Sequence, residues 1–198
     1  IGVALGVYGL TQASLQIPLG WLSDRIGRKP VIIGGLLVFA AGSVVAALAE
    51  SIQGIILGRA LQGAGAIASS VMALVADLTS REQRTKAMAV VGASIGLAFA
   101  LALVLAPLIA GMGGLEAVFG VTAALALLGI VVVLWQVPDP PRSGVTYTEV
   151  GTRPRLFRAS LRNGTLLRLD IGIFVLHFVL MASFQIVPGA LESVVGLA

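Results

Sequence analysis

Six long apolar stretches constrain this chain more than any other feature, because each is close to the length a helix needs to cross a bilayer. The hydrocarbon core takes about 20 helical residues to span. Runs of that size extend over approximately Ile1 to Ser23, Pro30 to Ala49, Ile52 to Ala76, Ala87 to Gly111, Leu115 to Val137 and Ile171 to Leu191. Composition agrees: 58% of the residues are hydrophobic and only 11% charged, with a mean hydropathy of +1.03, well outside the range of a soluble domain. In lipid every backbone N–H and C=O must be satisfied internally, so repeated runs of this kind fold as helices. The expected fold class is an all-α integral membrane bundle.

The connectors between the runs alternate in charge. Arg25, Arg28 and Lys29 occupy one, Arg81, Arg84 and Lys86 another, and Arg142, Arg153, Arg155, Arg158, Arg162 and Arg168 the longest. Twelve of the thirteen Lys and Arg residues therefore fall on one side. The opposite connectors carry Glu50 and Glu116, with Glu192 near the end of the last run. Lys and Arg accumulate in cytoplasmic loops, so the basic side is read as cytoplasmic. The same placement accounts for a pI of about 10.3 by contact with the lipid bilayer and without nucleic acid.

On this topology Ile1 lies at the outer face, and a protein with a cytoplasmic start needs at least one more crossing before it. The chain reads as a fragment. Residues 1–137 are expected to be an N-terminal transmembrane bundle, 138–170 a basic cytoplasmic linker, and 171–198 the first helix of a second bundle. Within the linker, Pro154, Leu156, Phe157 and Leu161 among arginines fit either a short amphipathic helix on the anionic leaflet or a disordered basic segment.

Several function classes lack their chemistry. The chain has no Cys, which excludes a disulfide framework, a thiolate metal site and a cysteine nucleophile. It contains no Walker-type Gly-Lys-Ser/Thr string, HExxH or Cys/His cluster. Neither a filter loop nor a ring of charges of the kind channels use is visible. The chain is expected not to be an enzyme and to hold no metal and no cofactor.

The most ordered string runs from Gly20 to Pro30, with Gly20, Leu22, Asp24, Arg25, Gly27, Arg28 and Lys29 in the pattern GxLxDRxGRK. Two helices joined this closely need Gly27 for a tight turn, and Pro30 suits the first turn of the second helix. Asp24 among three cations is a ready ion-pair partner. A merely basic loop needs the cations but not the ordered Gly, Asp and Gly. Asp77, followed by Thr79, Arg81, Glu82 and Arg84, ends the third run at the same face; it either bridges to Arg28 or is a solvated helix end.

A second string holds Arg59, Gln62, Gly63 and Gly65. Arg at membrane depth costs about 3 kcal/mol even on the lenient insertion scale. Arg59 is therefore expected either to face the bundle interior with partners or to snorkel to the interface. Arg59, Gln62, Ala66 and Ser69 or Ser70 fall near one helical face that could border a polar cavity. Tyr8, Gln12 and Gln16 recur every four residues and either line that cavity or hydrogen-bond between helices. Gly92, Gly96 and Ala100 form a smooth stripe for close helix approach. The lone histidine, His177, is either a proton-linked group or a packed residue bonded to a neighbouring helix.

The first string resembles the loop motif of the major facilitator superfamily, and the second resembles that family's fourth-helix motif, RxxQGxG. Pro107, followed by Gly111, resembles the signature of proton-coupled antiporters, with Ala102, Ala106 and Ala110 where glycines would be expected. The resemblance covers essentially the whole chain. It implies a partial major facilitator bundle, six transmembrane helices of an expected twelve, with Ile1 opening the second helix and Ile171 to Leu191 forming the seventh. It implies a secondary active transporter of the bacterial inner membrane, most simply a proton-coupled exporter of a drug-like or sugar-like small molecule, whose partners are that substrate and protons. A uniporter, an importer or a non-transporting sensor of the same fold is the alternative. By the same resemblance Gly20, Asp24, Arg25, Gly27, Arg28, Lys29 and Asp77 form a conformational latch. Arg59, Gln62, Tyr8, Gln12, Gln16 and His177 become candidates for proton coupling or cavity lining, and Gly63, Gly92, Gly96 and Pro107 for helix packing.

Overall fold

A computed structural model describes residues 2–138 and 162–195. Pro154, Leu156, Phe157 and Leu161 lie outside the described residues. All regular elements among the described residues are helices: α1 (Gly2–Ile26), α2 (Arg28–Ala47), α3 (Ile52–Ala64), α4 (Ala68–Leu78), α5 (Arg81–Gln136) and α6 (Gly164–Val195). They form two compact units, one holding α1 to α5 and the other α6.

Among the described residues, four stretches are long and apolar enough to cross a membrane: Arg28–Ala47, Ile52–Leu78, Arg81–Gln136 and Gly164–Phe184. The 56 residues of α5 extend roughly 84 Å at 1.5 Å per residue, more than two hydrocarbon thicknesses. Its helix breaks at Gly113 and Gly114, the latter with φ 65°, a left-handed value that only glycine adopts readily. The two runs expected at Ala87 to Gly111 and Leu115 to Val137 are thus the two arms of α5. At 25 residues α1 is also of spanning length, but Thr11, Gln12, Ser14 and Gln16 make it less apolar.

The sequence expectation needs three corrections. The third run is two helices, broken between Ala64 and Ala68, because Gly65 approaches α2 so closely that a Cβ there would lie 2.5 Å from the Gly35 carbonyl oxygen. The first arm of α5 begins at Arg81 instead of Ala87, following Ser80 at the N-cap. Finally, α6 begins at Gly164 instead of Ile171: the Asn163 side-chain oxygen accepts from the Thr165 and Leu166 N–H groups at 3.0 and 3.3 Å, a standard N-cap.

The first unit buries small residues and turns large ones outward. Ala40, Ala46, Ala66, Ala123 and Ala126, with Ser23, Ser43 and Ser70, are buried, whereas Leu97, Leu101, Leu105, Leu125 and Val131 are exposed. This inverts the pattern of a water-soluble protein, and it is how helices pack when the surrounding solvent is lipid. At the middle of the unit, α2 packs against α3, α4 and α5. Its crossing with α3 depends on paired glycines. A Cβ on Gly42 would lie 2.7 Å from the Gly58 carbonyl oxygen, and one on Gly58 would lie 2.7 Å from the Gly42 carbonyl oxygen.

Candidate functional site

The GxLxDRxGRK string is not a loop. Gly20 to Ile26 remain helical in α1, Arg28 already belongs to α2, and Gly27 alone joins them. Gly27 has φ 103°, and its N–H donates to the Ser23 carbonyl at 3.1 Å, so glycine is required at this turn. The reversal places Arg28 in the first turn of α2, facing the ends of two other helices.

Arg28 is 2% exposed. Its Nε donates to Asp77 Oδ2 at 2.9 Å, and its Nη1 donates to Ser23 Oγ at 2.8 Å and to Asp24 Oδ1. One guanidinium thereby joins the C-terminal turns of α1 and α4. Arg28 Nη2 and Asp77 Oδ1 are buried without a hydrogen-bond partner among the described residues. Beside this cluster, Lys29 Nζ donates to the Val137 carbonyl at 2.8 Å, capping the C-terminus of α5, and Arg84 Nη2 donates to the Ala76 carbonyl at 3.1 Å near the end of α4. Three cations thus meet the negative ends of three helices at one face, where the dipoles favour positive charge. The contacts to α5 and to the α4 carbonyl carry no pattern in the sequence, because their acceptors are main-chain atoms.

Arg25 departs from the latch expected of it. Its guanidinium carbon lies 3.5 Å from the ring centroid of Trp21, on an exposed part of α1. Gly20, grouped with the latch, packs instead: a Cβ there would approach Ser69 Oγ at 3.1 Å, where α1 meets α4.

Farther along α3, Arg59 stands seven residues past the helix start, roughly 10 Å along its axis. It does not snorkel alone. Its guanidinium carbon lies 4.3 Å from the Tyr8 ring centroid, and its Nη1 donates to Gln62 Oε1 at 2.7 Å. Gln62 Nε2 donates to Ser43 Oγ at 2.7 Å, and Ser43 Oγ donates to the Phe39 carbonyl at 2.8 Å. Every donor in this chain points the same way, an arrangement that strengthens each bond. Gln62 and Ser43 are buried.

Beside this network is a cavity of about 470 Å³ bordered by Tyr8, Gln12, Gln62, Phe39, Met72 and Thr122. Two members of the polar stripe of α1 therefore reach it. Gln16 does not border it; its carbonyl accepts from Ser69 Oγ at 3.0 Å, and its Oε1 is buried with no partner among the described residues. The face expected to continue from Arg59 through Ser69 or Ser70 is interrupted by the helix break. His177 belongs to the second unit, where its Nδ1 lies 2.9 Å from the Ile173 carbonyl oxygen on its own helix. Among the packing candidates, Gly63 sits where a Cβ would collide with Thr11 Oγ1 and the Tyr8 carbonyl oxygen. Gly92 and Gly96 have nothing within 4 Å of an added Cβ among the described residues, and Pro107 is exposed. No group of three or more His, Cys, Asp or Glu residues suited to a metal occurs among the described residues.

A bundle with a small-residue core, large apolar side chains outside and its buried charges neutralised at one face is a multi-pass membrane protein. The chain belongs to the major facilitator superfamily, whose description matches residues 1–198; as a member of a transporter family it is not an enzyme. It is 56% identical over 193 residues to the inner membrane transport protein YajR of Escherichia coli K12, covering 98% of this chain and 42% of that protein. It is 37% identical over 195 residues to an uncharacterized transporter of Buchnera aphidicola subsp. Schizaphis graminum, covering 97% and 49% respectively. It is also 35% identical over 158 residues to the class B tetracycline resistance protein of Escherichia coli, covering 76% and 38%. The chain spans less than half the length of each of these relatives.

Proposed function

We propose that the chain supplies most of one bundle, and the first helix of a second, in a secondary carrier of the bacterial inner membrane that exports small molecules by proton-coupled alternating access. The single observation that carries this reading is the buried Asp24–Arg28–Asp77 cluster, which ties the ends of α1, α2 and α4 together at the basic face. An ion-pair cluster at a helix junction can exist in a made and a broken state, which a rocking bundle requires. Arg59 beside the cavity supplies a fixed positive charge that would lower the pKa of an acidic group brought near it, and so would couple proton release to the state of the bundle. Inner-membrane location is supported by the name of the YajR relative, and export by the tetracycline resistance relative. Ala102, Ala106 and Ala110, standing where antiporter glycines would be expected, favour a second reading in which the carrier moves its substrate without protons.

The test uses the protein at the length of its relatives, reconstituted in liposomes with an entrapped pH dye, while drugs and sugars are added. Proton movement that depends on substrate and is lost in Arg59→Ala supports the proposal. Folded protein that moves no protons across a broad panel counts against it and in favour of uniport, a different coupling ion or a sensor.

A further inference from the structure

Two arginines of one short string have opposite fates. Arg28 is buried and bonded through Nε and Nη1 to Asp24, Asp77 and Ser23. Arg25, three residues earlier, is exposed and stacks on Trp21. The helix explains the difference: residues 21 and 25 are one turn apart and share a face, which diverges from the face carrying Ser23 and Asp24. Trp21 is 45% exposed, with exposed Leu22 and Ile26 beside it. Among the described residues, Arg25 makes no ion pair and no hydrogen bond of its own.

The depth of this pair in the membrane follows from its neighbours. It lies one turn from the end of α1, at the face where Arg28, Lys29 and Arg84 gather. The other tryptophan, Trp135, lies two residues before the Val137 carbonyl that Lys29 caps, and is also exposed. Both tryptophans of the chain therefore mark one level, as an interfacial aromatic belt does. At that level an outward guanidinium lies at lipid phosphate depth, and the tryptophan ring beneath holds its plane in place, leaving its N–H edge free to donate to phosphate oxygens.

We propose that Trp21 and Arg25 form a binding site for the phosphate of an anionic phospholipid on the outer surface of α1, at the cytoplasmic face. The occupant is a lipid rather than a soluble anion, because Leu22 and Ile26 flank the guanidinium with apolar surface suited to acyl chains. Arg25 thus serves lipid anchoring, while Arg28 serves the latch. The site does not depend on what the carrier transports.

The experiment uses the chain with Trp135→Phe, so that Trp21 is the sole tryptophan, in phosphatidylcholine vesicles doped with equal small fractions of either brominated phosphatidylglycerol or brominated phosphatidylcholine. Bromine quenches tryptophan on contact. An arginine near an anionic surface contributes enough for about fivefold enrichment of the anionic lipid, so the brominated phosphatidylglycerol is expected to quench several times more strongly at limiting bromolipid. Arg25→Gln should abolish that excess. Lys86→Gln, which removes the same charge from another exposed position on the basic side, should leave it. Equal quenching by the two lipids would overturn the proposal. So would an excess that survives Arg25→Gln, or one that Lys86→Gln removes equally, which would mean diffuse attraction to the whole face. Unchanged helical circular dichroism confirms that each variant is folded.

Discussion

Replacing the two carboxylates around Arg28 measures what a buried guanidinium costs when it loses its partners. Asp24→Asn alone removes one charge-assisted bond and leaves the 2.9 Å contact to Asp77 in place, a loss of about 1.5 to 3 kcal/mol. Asp77→Asn should cost a similar amount. With both replaced, a group only 2% exposed keeps its charge with no countercharge, and the loss should reach about 3 to 5 kcal/mol. Adding Arg28→Met to the double variant removes the orphaned charge and should recover most of that loss, because an apolar side chain of similar length suits the site. The assay is unfolding of the chain in mixed micelles, followed by tryptophan fluorescence and helical circular dichroism, with stabilities compared as a mutant cycle. A double variant that loses less than about 1 kcal/mol, the range of exposed pairs, or an added Arg28→Met that worsens the loss would show that the guanidinium does not depend on its carboxylate partners.

Gly63→Ala should destabilise the first unit by about 1 to 3 kcal/mol through overpacking against Thr11 and Tyr8, whereas Gly96→Ala, with open space around it, should be neutral or gain up to about 1 kcal/mol of helix propensity; the same unfolding assay separates them. Gln62→Leu should cost about 1 to 3 kcal/mol, because it strips a hydrogen bond from both Arg59 and Ser43, and equal stability of this variant would mean the network is dispensable. Since the chain has no Cys, single cysteines at Glu50 and Gln83 report topology directly: an impermeant maleimide added to intact cells should label the first and spare the second. His177→Ala should leave the stability of the first unit unchanged in the micelle assay.

The parts of this fold that could be read in advance are those set by solvent and by side-chain identity. Apolar runs of bilayer length foretold the helices, and the ordered glycines and charges from Gly20 to Lys29 foretold the tight turn at Gly27; Asp77 stayed open between a bridge to Arg28 and a solvated helix end, because nothing local says which helix its carboxylate meets. Three kinds of feature escaped. Helix breaks at Gly65 to Ile67 arise from close approach of α2, a tertiary cause with no local signature. The capping contacts of Lys29 and Arg84 end on main-chain carbonyls, which every sequence offers everywhere. The stripe of Gly92 and Gly96 reads as an interface, but the described chain places nothing against it. The cap at Asn163 was the one feature legible and missed: Asn followed by Gly and Thr ahead of an apolar run is a start signal.

The cluster of Asp24, Arg28 and Asp77 is proposed to work as a latch in a carrier, beyond holding helices together. The most direct measurement is substrate flux in liposomes for Asp24→Asn in the protein at the length of its relatives, with membrane insertion and folding checked in the same preparation. Reduced flux is expected from a fully inserted, folded protein; flux equal to that of the unaltered protein would rule the latch out.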